Sequence, residues 1–254
     1  MSRLRAIGPP VSHADVLIRR LSHFAHLTAE EIMVLRSVAA SPQQIPVGTE
    51  IIHEGQLLDK PSALMAGWAC RYRALPDGRR QIFDFTLPGE LYGMCHRPQA
   101  VALTTTVTLT AAVIADARAI VDAIAAKPAQ YSNLEGALFS TASLDEAYLL
   151  NQLVRIGRQT AYERVSHLIL ELHQRLQSVG LAEDWSYALP LTQEILADAL
   201  GLSVVHLNRT LQQLRREALI EFRSGKMTIL NPGALEAAAN FRAPKISFAM
   251  RASA

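Results

Sequence analysis

The apolar and polar positions of this chain switch from a helical period to short alternating runs and back again. In residues 14–40, Leu17, Leu21, Phe24 and Leu27 recur on one helical face. A second helix follows, with Thr28 placed to cap it and Glu31 three residues on. From residue 45 to 116 the helical period is lost, and short runs lie between turns at Pro46-Val47-Gly48, Glu54-Gly55, Ala66-Gly67, Pro76-Asp77-Gly78 and Pro88-Gly89. Closely spaced turns with short strands between them predict an antiparallel β-barrel or sandwich. Residues 109–126 are apolar but broken by Asp116, Arg118 and Asp122, so they read as a strand followed by a surface helix. After Pro128, Leu138, Ala142, Leu149, Leu153 and Ile156 form an apolar seam on one long helix, interrupted by Asp145. Such a seam packs on a second copy of itself or on the barrel, and we expect the copy. A further helix is expected over 162–176, and residues 238–254 show no period and read as loosely ordered.

The segment 191–216 carries the most chemistry. Thr192 is placed as a helix cap, and Leu196, Ala197 and Leu200 give the next helix its inner face. Gly201 sits where a tight turn needs positive φ, Leu202 plugs the turn and Ser203 caps another helix. In that second helix Leu207, Leu211 and Leu214 point inward, which leaves His206, Asn208, Arg209, Gln212 and Gln213 on other faces. Helix, glycine turn and helix with a polar outer side is the helix-turn-helix arrangement. Arg209 offers a planar fork for guanine O6 and N7, and Asn208 and His206 can reach base edges or phosphates. Thr192, Gln193 and Ser203 lie at helix starts, where N–H groups and hydroxyls favour phosphate. Residues 218–230 read as two short strands around Ser224-Gly225-Lys226, a wing whose Lys226 can touch the DNA backbone.

Composition narrows the remaining classes. Half of the 254 residues are hydrophobic and 19% are charged, which suits folded domains and excludes a disordered chain. The net charge of +2 supplies no large basic field, so DNA affinity must be local and shared between two copies. Two cysteines, Cys70 and Cys95, build neither a disulfide framework nor a four-cysteine metal site. No run reaches the roughly 18 apolar residues of a membrane helix, and the first ten residues lack the apolar core of a secretory signal. A cytoplasmic protein without a membrane partner is expected. His53-Glu54 and Cys95-His96 are isolated pairs, and no glycine loop ends in Lys-Ser or Lys-Thr, so we expect no enzyme and identify no cofactor.

Together these residues resemble the Crp/Fnr family of bacterial transcription regulators over roughly residues 15–235. The series Gly48, Gly55, Gly67, Gly78 and Gly89 is similar to that of its cyclic-nucleotide-binding β-roll, and Pro88-Gly89-Glu90-Leu91 resembles the opening of its ligand cassette. Residues 158–172 resemble the helix that opens its DNA-binding domain, and residues 201–211 resemble its recognition helix. The resemblance implies a homodimer on double-stranded DNA and contact with RNA polymerase. It matches Arg209 to the family's last base-contacting arginine and puts Val204 and Val205 where well-known members carry Arg-Glu. Alignment through residues 110–115 places Ala102 and Leu103 at the Arg-Ser or Arg-Thr pair that holds a cyclic phosphate, with Arg97 out of register. Cyclic AMP is therefore not expected to control this chain. The effector, if one exists, is unidentified; Gly89, Glu90, Leu91, Tyr92 and Leu103 are the pocket candidates, with Tyr92 and Leu103 as fillers.

The expected fold is α+β: an N-terminal antiparallel β-roll of the jelly-roll kind, a long dimerisation helix and a C-terminal winged helix-turn-helix. We place the β-roll at 15–130, the dimerisation helix at 131–157, the DNA-binding domain at 158–235 and a tail at 236–254. The dimer interface is expected at Leu138, Ala142, Asp145, Leu149, Leu153 and Ile156. DNA contacts are expected at Thr192, Gln193, Ser203, Val204, Val205, His206, Asn208, Arg209 and Lys226. A different class, a ligand-binding protein that regulates a partner protein through its helical end, is the alternative.

Overall fold

A computed structural model describes residues 12–94 and 99–244. Cys95, His96 and Arg97 lie outside the described residues. The first described elements are α1 (His13–Ser22) and α2 (Ala29–Val38), each started by a capping box, Ser12 with Asp15 and Thr28 with Glu31. Among the described residues eight strands follow: β1 (Gln43–Ile45), β2 (Glu50–Ile52), β3 (Ser62–Ala66), β4 (Ala69–Ala74), β5 (Arg80–Thr86), β6 (Leu91–Tyr92), β7 (Thr105–Thr108) and β8 (Ala112–Asp116). They form two antiparallel sheets, ordered β1-β8-β3-β6 and β2-β7-β4-β5. The turn spacing predicted antiparallel strands of this kind, and the resemblance implied the β-roll that they form. Gly89, after β5, has φ +89°, and a Cβ there would stand 2.8 Å from the Val16 carbonyl, so α1 can seat on this turn only because the residue is glycine.

The helical half begins with α3 (Arg118–Ala126), α4 (Ser132–Arg158) and α5 (Ala161–Ser178). Tyr131 gives α4 no side-chain cap. The carboxylate of Glu31 from α2 fills that role, accepting from Leu134 N–H at 2.8 Å while also bonding Thr28 N–H at 2.8 Å. A negative charge at a helix start is favoured by the helix dipole, which explains why this glutamate is fully buried.

Beyond α5 the chain forms β9 (Ala182–Glu183), β10 (Ser186–Ala188), α6 (Gln193–Leu200), α7 (Val204–Arg216), β11 (Ile220–Arg223), β12 (Lys226–Ile229) and α8 (Pro232–Ala239). The last sheet is ordered β11-β12-β10-β9. Two of these elements correct the sequence reading. The β9–β10 hairpin was not expected, because its strands are very short and its turn residues Asp184 and Trp185 take positive φ without a glycine. The tail assigned from residue 236 begins inside α8, which Asn231 caps, Pro232 starts and buried Leu235 and Ala239 hold down.

One buried cluster joins the two halves. Trp68, Ile82, Phe85 and Leu87 of the β-roll belong to the same core as Leu168, Leu172, Leu176, Leu196, Leu200 and Leu211. Leu172 is fully buried within it. Leu172→Ala is expected to cost about 2–5 kcal/mol. Thermal unfolding followed by both near- and far-ultraviolet circular dichroism should show one transition moved down in temperature, with both probes shifting together.

Candidate nucleic-acid interface

The helix-turn-helix is built by local caps. The Thr192 hydroxyl accepts from Ile195 N–H at 3.3 Å and starts α6. Gly201 ends it with φ +62°, and Leu202 N–H returns to the Ala197 carbonyl at 3.1 Å. Ser203 then caps α7 by accepting from His206 N–H at 3.2 Å. Leu207, Thr210, Leu211 and Leu214 bury the inner side of α7. Val205, His206, Arg209, Gln212, Gln213 and Arg216 are exposed, and Val204 and Asn208 are half-buried. Val205, Arg209, Gln212 and Arg216 follow one another at four-, three- and four-residue steps, so they form one outward stripe. Gln213 turns aside and donates to Glu217 at 3.0 Å, and Glu217 also accepts from Tyr162. Thr192 is exposed, as are Ser224, Gly225 and Lys226 at the β11–β12 tip, while Gln193 is half-buried.

The support for this unit comes from distant residues. The C-terminal carbonyls of α6 find donors on the β-roll, α4 and α5. Gln81 donates to Asp198 O at 3.1 Å, and Gln152 of α4 donates to Ala199 O. Arg164 of α5 donates to Leu200 O at 3.0 Å, a cation at the negative end of the helix. Arg80 of β5 pairs with the Asp198 side chain at 2.7 Å.

The turn after β5 is occupied from inside the molecule. Glu90 is buried, and its carboxylate accepts from Leu87 N–H at 2.9 Å and from Arg175 at 2.7 and 3.1 Å. Arg20 of α1 stands 3.4 Å away. Tyr92 faces elsewhere: with Ile45, Ile51, Ile52, Gln56 and Ile114 it lines a β-roll cavity of about 200 Å³.

A family model described as the Crp-like helix-turn-helix domain matches residues 163–238. The nitrogen fixation regulation protein FixK of Rhizobium meliloti is 31% identical over 194 residues, covering 76% of this chain and 84% of that protein. The chain belongs to the Crp/Fnr family of transcription regulators. The transcriptional activator protein FnrL of Cereibacter sphaeroides is 26% identical over 228 residues, covering 87% of this chain and 90% of FnrL. The solved structure of FixK2 from Bradyrhizobium japonicum has the same fold, with a TM-score of 0.68 at 23% identity over 80% of this chain and 98% of that one.

As a Crp/Fnr member the chain is a DNA-binding transcription regulator, and its own geometry corrects part of what the family resemblance implied. Glu90, expected at an effector pocket, is spent on Arg175 and Arg20. Leu103, expected as a pocket filler, is 72% exposed, whereas Ala102 is buried. Gly89 and Leu91 flank Glu90, but only Tyr92 of this group reaches the cavity. Burial pushes the Cys70 thiol up to about 12, so it stays protonated and packs as an apolar group.

The α4 seam also divides differently from the sequence reading. Leu138 and Ile156 are half-buried, Leu138 against a core built from α1, α2, α3 and the β-roll, to which α4 adds Leu134 and Ala137. The outward side carries Phe139, Ala142, Leu149, Leu150, Leu153 and Val154, with Leu153 63% exposed. Asp145 lies between the two sides. Burial pushes its carboxyl from 3.8 up to about 7, and the nearby carboxylates of Glu90 and Asp84 add to the shift. The folded chain thus keeps a proton that the unfolded chain releases from about pH 4 upward, so stability falls as pH rises through that window. Asp145→Asn removes this dependence. Its melting temperature should exceed the parent's by more at pH 8 than at pH 5, and an equal gain at both values would remove Asp145 as the titrating group.

Proposed function

We propose that this regulator works as a homodimer on an inverted-repeat operator, pairing through α4, reading DNA with α7 and contacting RNA polymerase once bound. The observation that carries the reading is the exposed stripe Val205, Arg209, Gln212 and Arg216, which stands clear while α6 is docked by its C-terminal end. In this reading Arg209 holds a guanine, Asn208 and His206 reach neighbouring edges or phosphates, and Val204 and Val205 face thymine methyls. Thr192, Gln193, Ser203 and Lys226 hold backbone phosphate and set the register. Valine cannot donate to guanine, so the operator differs from that of family members with Arg-Glu at these positions. No helix among the described residues is long and apolar enough to cross a membrane, which agrees with action on DNA in the cytoplasm.

Two pairs of variants test this. An operator selected from a random duplex pool should lose about 1–3 kcal/mol of discrimination at one base pair per half-site in Arg209→Ala. Lys226→Ala should weaken every sequence alike and reduce the salt slope. Unchanged discrimination in Arg209→Ala would remove it as a base reader. In a second experiment, Leu149→Lys and Leu153→Lys put a charge on the outward side of α4. Sedimentation should show monomers, and operator affinity should fall by roughly a hundredfold or more, because two half-sites are no longer bound together. Dimers that persist in both variants would place the interface elsewhere.

A further inference from the structure

The polar groups buried between the β-roll and α5 converge on Arg175, whose side chain is 1% exposed. Its Nε donates to Glu90 at 3.1 Å, its Nη1 to Asp84 at 3.0 Å, and its Nη2 to Glu90 at 2.7 Å and to the Phe85 carbonyl. The Tyr148 ring of α4 lies 4.4 Å from the guanidinium carbon. These hydrogen-bond acceptors belong to the β-roll, whereas Arg175 itself belongs to the helix that opens the DNA-binding unit. Burial disfavours charge on Asp84, yet the guanidiniums of Arg175 and Arg71 hold its carboxyl below the ordinary value. Glu171 on α5 faces both Arg155 and Arg175. The arginines 20, 71, 155 and 175 are thus matched by Asp84, Glu90 and Glu171, with Asp145 close by.

We propose that Arg175 is a positioning residue for DNA recognition: by clasping Asp84 and Glu90 it keeps the DNA-binding unit docked on the β-roll without a ligand, so that the two recognition helices of a dimer are preset at operator spacing. The inference rests on the dimeric DNA-binding reading above and supplies the device that sets its geometry. Undocking would break the bonds of Arg175 to Asp84, Glu90 and the Phe85 carbonyl, and would leave Asp84 to Arg71, Glu90 to Arg20 and Arg175 to Glu171. Arg80 with Asp198, and Gln81 and Gln152 on the α6 carbonyls, hold the same unit at a second place. Docking covers none of the outward stripe of α7, nor Thr192, nor the tip of the wing. The docked form is therefore the one competent for DNA. A ligand hydroxyl seeking Glu90 would have to displace Arg175 first.

The test uses the full-length protein and an operator selected by the parent from a random duplex pool. A second duplex carries the same half-sites moved apart by about five base pairs, half a helical turn. The parent should prefer the native spacing strongly. Arg175→Met should bind the native-spaced operator at least roughly tenfold more weakly and lose most of the spacing preference. Its affinity for non-specific duplex and its sedimentation as a dimer should not change, which a loss of folding would not spare. Should Arg175→Met fail to fold, Glu90→Gln reports on the same clasp with an isosteric change and is expected to shift the spacing preference in the same direction. The half-exposed second clasp gives an independent arm: Arg80→Asp and Asp198→Arg should each weaken the preference, and the double variant should restore it. Variants that stay dimeric and keep the full spacing preference would overturn the proposal. So would tighter operator binding in Arg175→Met, which would make the docked form inhibitory. A parent that selects no operator would instead overturn the DNA-binding reading itself.

Discussion

The arrangement of this molecule depends on one buried cation. Arg175 sits where α5, α4 and the β5 turn meet, with Asp84 and Glu90 as its partners. Taking these charges out of water costs several kcal/mol each, and only close pairing with filled hydrogen bonds offsets that cost. The side chain therefore tolerates few alternative positions, and the elements that carry its partners share that constraint. Arg20 brings α1 to Glu90, Gly89 lets α1 approach, and Glu31 ties α2 to the start of α4. The apolar core that runs from Trp68 through Leu172 to Leu211 adds most of the attraction but little direction. Direction comes from the charges.

What was legible in the sequence is what is decided locally. Thr192, Gly201 and Ser203 act within three or four residues of themselves, so the helix-turn-helix could be read from spacing alone. The capping boxes at Thr28 and the turns of the β-roll are of the same kind. The clasp was not legible, because Arg175 and Glu90 are 85 residues apart and Glu31 and Leu134 are 103 apart. Nothing in the composition around Arg175 distinguishes it from an ordinary surface arginine on an amphipathic helix. The α4 seam was legible only in part, for another reason. That helix is apolar on two sides, and periodicity does not say which side meets its own chain. Leu138 and Ile156 went inward, while Phe139, Leu150 and Val154, passed over in the sequence, face out. The stripe partners Gln212 and Arg216 were findable, since both stand at helical spacing from Arg209.

Glu90 shows where resemblance misleads. The local sequence Pro88-Gly89-Glu90-Leu91 matches a ligand cassette, and the turn itself is formed, yet its carboxylate is filled by the protein's own arginine. A side chain from the DNA-binding half thus stands where a ligand group would otherwise be bound. The turn after β5 and the helix that opens the helix-turn-helix half are held together by the same ion pairs. The cavity beside Tyr92 remains, lined by four isoleucines together with polar and charged residues such as Gln43, Asp59 and Lys60, but no residue of α5 lines it.

The central claim is that the recognition helices are preset without a ligand. Spin labels at position 212, on protein whose native Cys70 and Cys95 are replaced, report the distance between the two recognition helices of a dimer by double electron–electron resonance. The account predicts one narrow distribution in the ligand-free protein, centred near one turn of DNA, about 34 Å before allowance for the label arms. A broad distribution that narrows only when a small molecule or operator DNA is added would contradict it.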